Sequence, residues 1–265
     1  MTSSKVTVTA KGATLIVAIN RPAVRNAVDN ETAEGLADAF KAFDANPEMK
    51  VAIFTGAGSY FCAGADLNEM ASGARRKRWR ESSDGPMGPT RLALSKPVIG
   101  AIEGYAVAGG FELALWCDLR IAADNAVFGV FNRRWGVPLM DGGTVRLPRL
   151  VGVGRALEIA MTGRAVPATE ALQIGLVNEL TPPGGALARA LELADTLAAL
   201  PQDAMNLDRR SIYRQVGLSL DAAMDAEFRE SLAAQGVESG AARFVRGAGR
   251  HGIPVTERQD DREKS

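Results

Sequence analysis

Histidine and cysteine are almost missing: the 265 residues hold one His and two Cys. The single His251 lies in GAGRHGIP, near the charged end QDDREKS, where a rigidly held element is not expected. Ser-His-Asp or Cys-His chemistry would have to recruit that one residue, so it is set aside as a general base. Cys62 and Cys117 are too few for a disulfide framework and lack metal-ligand spacing, and both are expected as reduced, buried thiols, with no metal site. If the protein is an enzyme, carboxylates and backbone groups must therefore do most of the work.

Charge of one sign is lacking too. Lys plus Arg and Asp plus Glu are both 31, so no overall field favours nucleic acid, an anionic membrane or a polyanion. The opening MTSSKVTVTAKG has neither the basic region nor the long apolar run of a signal peptide. No stretch approaches the roughly 18 consecutive apolar residues of a membrane span. The expectation is a cytoplasmic protein with no membrane partner. With 46% hydrophobic residues, the chain is nevertheless long and apolar enough for a sizeable core.

Organisation changes along the chain. KVTVTAKG and ATLIVAIN alternate around Lys11-Gly12 as a hairpin would. Asn30 is then expected to cap an amphipathic helix carrying Leu36, Ala39, Phe40 and Phe43. VAIFTG, PVIGAIEG and LRIAAD read as buried strands, and glycine turns followed by helices lie between them. Strand, turn and helix in repetition predict a layered α/β core. After about residue 150, six segments bounded by Gly, Pro or a capping residue read as helices whose apolar faces need a partner, either the core or another subunit.

Two glycine turns concentrate the chemistry. In AVAGGFEL a helix starts directly after Gly109-Gly110, presenting free N–H groups and the positive end of its dipole. In FCAGAD, small residues precede the short helical signal LNEMA, with Asp66 placed as its N-cap. N–H groups from the two turns could converge on one oxygen as an oxyanion hole. Glu112 stands in the first turn of the AGGFELALWC helix with every neighbour to Cys117 apolar. Either it serves the helix dipole, or it is a buried acid of raised pKa suited to proton transfer near neutrality.

Together NRPAVRNAVD, FCAGADL, KPVIGAIEGYAVAGGFELALWCDLRIAAD, GVPLMDGGTVRLPRLVG and GRAVPATEALQIGLVNEL, in this order, resemble the enoyl-CoA hydratase/isomerase (crotonase) superfamily over about residues 5–250. The resemblance implies a crotonase-like core of repeated ββα units in a spiral over residues 1–195. It also implies a helical C-terminal region over 196–265, involved in trimerisation and covering the active site. It implies an acyl-CoA thioester as substrate, self-association as a homotrimer or dimer of trimers, and no cofactor beyond the coenzyme A of the substrate. Carried over by position, the oxyanion donors are the N–H groups of Ala65 and Gly109. Arg25, Ala27, Ala63, Ala65, Asp66, Leu67 and Gly109 match positions along the coenzyme A path, although Asp66 serves equally well as a helix cap.

Glu112 matches one of the two glutamates that hydratases of this family use to activate water. The second is expected four residues after the Phe of a Phe-Gly pair; here FGVFNRRWGVP places Asn132 there. Asp141 in PLMDGGT matches a position where some isomerases and dehalogenases of the superfamily carry a catalytic aspartate, and its plain alternative is a turn or N-cap residue. The catalytic set expected is thus Glu112, Asp141 and Asn132. The basic run Arg75 to Arg80 is read first as a solvated helix face, then as a contact for phosphates or a neighbouring subunit. Neutral overall charge argues against nucleic-acid binding by this run. The expected activity is enoyl-CoA hydration, a lyase reaction. The alternatives are double-bond isomerisation and, further off, a catalytically weak CoA-ligand or nucleic-acid binding protein on the same fold.

Overall fold

The computed structural model of the chain describes residues 5–79 and 84–249. His251 and Arg80 fall outside them. The chain divides into two compact units at Ala194/Asp195.

In the first unit, β1 (Val6–Lys11) and β2 (Thr14–Ile19) form the expected hairpin, in antiparallel register from Val6↔Ile19 to Lys11↔Thr14. Helix α1 (Asn30–Ala45) follows, and its N-cap is Asp29, one residue before the Asn30 expected. The Asp29 carboxylate accepts the Thr32 N–H at 2.8 Å and the Thr32 hydroxyl at 2.6 Å, a stronger cap than a neutral amide offers. Asn30 instead lies inside the first turn, its side-chain amide donating to Ala74 O at 3.0 Å.

Four central strands then build a parallel sheet beside the hairpin. They are β3 (Val51–Gly56), β4 (Val98–Ile102), β6 (Leu119–Ala123) and β9 (Glu179–Thr181), in the order β1-β2-β3-β4-β6-β9. Burial on both faces explains why β3 and β4 are continuous apolar runs. A second sheet of β5 (Tyr105–Val107), β7 (Val127–Gly129) and β8 (Val166–Pro167) was not legible in the sequence, because two or three residues are too few to show alternation. Helices α2 (Leu67–Ala71), α3 (Gly109–Trp116), α4 (Gly143–Val151), α5 (Val153–Thr162) and α6 (Ala168–Gln173) connect these strands, and α7 (Ala186–Ala199) begins the helical region.

Phe40 of α1 stands edge-on to Phe54 of β3 and to Trp116 of α3, with ring centroids 5.3 and 4.8 Å apart. Each such pair adds about 0.5–1.5 kcal/mol beyond its buried area, so this cluster seats α3 on the sheet. Both cysteines are buried free thiols, and burial pushes each up to about 12. The second unit contains α8 (Gln202–Arg214), α9 (Leu220–Ser231) and α10 (Val237–Val245). There Arg210 and Arg214 of α8 pair with Glu230 of α9 at 3.2 and 2.8 Å. Leu220, Met224, Phe228 and Leu232 form an exposed apolar stripe at four-residue spacing. Among the described residues, no helix is long and apolar enough to cross a membrane, and no cluster of three or more His, Cys, Asp or Glu could hold a metal ion.

One close approach fixes where α3 begins. A Cβ on Gly110 would stand 2.2 Å from the Cys62 carbonyl oxygen, so backbone would have to move. Gly110→Ala should therefore lower unfolding stability by roughly 2–3 kcal/mol, read as a shifted denaturation midpoint with unchanged slope. A neutral substitution would mean that the two turns are not held this tightly.

Candidate active site

The two glycine turns meet. Cys62 N–H donates to Tyr105 O at 2.9 Å and Val107 N–H to Cys62 O at 3.1 Å, which lays FCAGAD beside β5. Gly64 has φ +102°, and a Cβ there would stand 3.1 Å from the Gly109 nitrogen and 2.9 Å from the Ala108 Cβ. Ala108 caps α3 at φ 53° and ψ −125°, a conformation that costs a non-glycine residue about 1–3 kcal/mol and aims the following N–H groups. The Ala108 carbonyl accepts the N–H groups of Phe111 and Glu112 at 3.0 and 3.3 Å. The N–H groups of Ala65 and Gly109 have no hydrogen-bond partner among the described residues, and both residues line one cavity of about 230 Å³.

Glu112, Asn132 and Asp141 line the same cavity. Glu112 is 3% exposed, and its Oε1 accepts the N–H groups of Asp141 and Gly143, each at 2.8 Å. Burial, reinforced by the nearby Asp141 charge, raises its pKa to about 7, against the downward pull of hydrogen bonds from Gly143, Asp141 and Met140. Asp141 is equally buried and does not cap α4, whose N-cap is Gly142. Its Oδ1 accepts the Met87 N–H at 2.8 Å and the Thr90 hydroxyl. Burial raises its pKa too, opposed by Thr90, Met87 and the Arg75 and Arg91 charges.

Asn132 sits in a 3-10 turn, Phe131–Trp135, where its Nδ2 donates to Val137 O at 2.8 Å. Its Oδ1 is buried without a partner. Arg25, Ala63 and Leu67 also line the cavity, Arg25 and Leu67 as exposed residues. Ala27 and Asp66 do not line it. Asp66 caps α2 through the Asn68 N–H at 3.0 Å and pairs with Arg21 at 3.0 Å, the structural one of the two roles open to it. Met70, Trp79, Met87, Trp135, Val137 and Met140 give the cavity an apolar wall.

Arg75 corrects the expectation of a solvated basic face. It is 1% exposed and lines the cavity, whereas Arg76 and Lys77 beside it are not buried. Nothing in four consecutive basic residues singles out the one that turns inward. Met87 and Thr90, the partners of Asp141, were equally unmarked.

The sequence profile of the enoyl-CoA hydratase/isomerase family matches residues 9–246. The chain belongs to this family. Among curated relatives of this enoyl-CoA hydratase/isomerase family member, the enoyl-CoA hydratase EchA19 of Mycobacterium tuberculosis is 39% identical over 209 residues, covering 76% of this chain and 77% of that protein. The short-chain-enoyl-CoA hydratase of Clostridium acetobutylicum is 36% identical over 219 residues, covering 82% and 84%. A crystal structure of an enoyl-CoA hydratase from Mycobacterium tuberculosis superposes with a TM-score of 0.85 at 36% identity, covering 92% and 96% of the two chains. The mixed α/β core and helical C-terminal region are thus those of the crotonase superfamily.

A family member that keeps a carboxylate buried with a pKa of about 7 gives up stability for it. Below the unfolded value of 4.5 Glu112 is protonated in both states; above about 7 the folded protein must hold it charged, so stability falls across that window by up to roughly 3 kcal/mol. Glu112→Gln should therefore melt higher than wild type at pH 8, with the gap closing below pH 5. A gap independent of pH would contradict the raised pKa.

Proposed function

We propose that this protein is an enoyl-CoA hydratase that adds water across the double bond of a 2-enoyl-CoA. The supporting observation is the placement of two buried carboxylates, Glu112 and Asp141, in a cavity bordered by the unpartnered N–H groups of Ala65 and Gly109. The thioester oxygen takes both N–H groups, which draws electron density from the double bond and leaves C3 open to attack. Ionised Glu112 removes a proton from water as the oxygen bonds to C3. The negative charge that develops as an enolate stays on the thioester oxygen. Asp141, in the acid form that burial favours, gives its proton to C2, and the proton on Glu112 returns to Asp141 through water to close the cycle. Asn132 accepts a hydrogen bond from the attacking water on its free Oδ1. Arg25, Ala63, Ala65 and Leu67 border the coenzyme A path, and the apolar wall takes the acyl chain. No cofactor enters beyond the coenzyme A of the thioester.

A second reading draws support from Asn132, which cannot donate the proton that a glutamate there would. Isomerisation of a 3-enoyl-CoA needs proton shuttling through a dienolate and no added water. Loss of enone absorbance on mixing with 2-butenoyl-CoA, with the 3-hydroxy product formed, supports hydration; growth of that band from 3-enoyl-CoA supports isomerisation. Coenzyme A binding with no turnover of either would leave a ligand-binding protein. The exposed stripe of α9 supports self-association, in which the C-terminal helices of three or six chains pack together; light scattering on the purified protein reads the number.

Because Glu112 acts as a base, kcat/KM should be lost as pH falls through about 7, and because Asp141 acts as the acid it should fall again at the higher pH where Asp141 ionises. Glu112→Gln should reduce kcat by about 1,000-fold and Asp141→Asn by about 100-fold, with KM moving much less. Full activity in Asp141→Asn would remove Asp141 from the mechanism.

A further inference from the structure

Arg75 is a fully buried guanidinium with no carboxylate at hydrogen-bond distance among the described residues: the Glu69 oxygen lies 4.0 Å away. Its hydrogen bonds go to neutral acceptors. Nη1 donates to Val28 O at 2.9 Å, and Nη2 donates to Pro86 O at 2.7 Å and to Met87 Sδ at 3.2 Å. A buried cation paired this loosely is weak evidence for a stabilising role. What it grips is more informative.

Val28 is the bridge partner of Ala65: Val28 N–H donates to Gly64 O at 2.8 Å and Asp66 N–H to Val28 O at 2.9 Å, bracketing Ala65. On the other side, Met87 packs against Gly109 so closely that a Cβ there would stand 2.8 Å from its Sδ. The same Met87 donates its N–H to Asp141 Oδ1 at 2.8 Å. One planar fork therefore reaches the backbone beside Ala65, the side chain against Gly109 and the residue that holds Asp141.

We propose that Arg75 is the positioning residue of the oxyanion hole, setting the separation of the Ala65 and Gly109 N–H groups by gripping Val28 and Met87 at once. This rests on the hydratase reading above. The rigid two-ended geometry of guanidinium suits the task; an ammonium is a single point that cannot span both grips. Misplacing an oxyanion donor weakens a contact that strengthens in the transition state, so the loss falls on kcat.

The test uses 4-(dimethylamino)cinnamoyl-CoA, whose absorption moves to longer wavelength when its thioester carbonyl is polarised, alongside turnover of 2-butenoyl-CoA. In Arg75→Met and Arg75→Lys the red shift on binding should fall by half or more. Their kcat should fall roughly 10- to 100-fold, while KM and the dissociation constant of the chromophore stay within about threefold. Met87→Ala, which removes the Gly109 side of the grip and leaves Arg75 in place, should reproduce the loss of shift even where the Arg75 variants fold poorly. A full shift in either Arg75→Met or Met87→Ala overturns the proposal, as does restoration of wild-type shift and kcat by Arg75→Lys, which would assign the effect to charge instead of span. If wild type neither shifts the chromophore nor turns over 2-butenoyl-CoA, the hydratase reading falls and this proposal with it; wild-type shift and turnover retained in the variants overturn this proposal alone.

Discussion

The Glu112 carboxylate, taken out of water and held by the backbone N–H groups of Asp141 and Gly143, is the constraint from which the rest of the site follows. It ties the start of α3 to the turn before α4, so the turn that presents Gly109 and the turn that presents Asp141 face one cavity. The hydrogen bonds keep the carboxylate soluble in an apolar helix, and burial keeps it from being an ordinary acid. A few backbone N–H donors are too few to replace bulk water, and the residual penalty raises the pKa. That penalty is what makes proton exchange near neutral pH accessible.

Around it, charge is arranged sparingly. Asp141 is buried within the same cavity and pushes Glu112 further up, while Arg75 and Arg91 temper Asp141. Two carboxylates and one guanidinium thus share a low-dielectric space in which each strongly influences the others. Strain is spent nearby, at Ala108, and close packing is found where a side chain of any size would separate the turns, at Gly64 and Gly110. Backbone precision and perturbed acidity belong to the same few residues.

Much of this was legible in the sequence, for identifiable reasons. Helices such as α1 and α9 and the strands β3 and β4 are long enough for apolar spacing to show, and the glycine turns announce free N–H groups directly. Glu112 stood out because it is a lone charge in an apolar helix. The short strands β5, β7, β8 and β9 did not show, since their pairing comes from distant segments and carries no local pattern. The α1 cap was misplaced by one residue because Asp29 and Asn30 are both good caps and only the tertiary partners of Asn30 decide between them. Arg75 was hidden among like residues, and the direction of the Asp141 side chain depends on Met87 and Thr90, more than fifty positions away along the chain.

The account turns on the ionisation of one carboxyl group, and that group can be observed directly. Carbon-13 NMR of protein labelled at the glutamate side-chain carboxyl carbons, with the resonance of Glu112 assigned by its disappearance in Glu112→Gln, follows the titration without substrate. A midpoint of about 7 is the predicted result. A midpoint near the ordinary 4.5 would contradict the account, leaving Glu112 a hydrated helix-terminal charge and removing the physical basis for the proposal that it is the base.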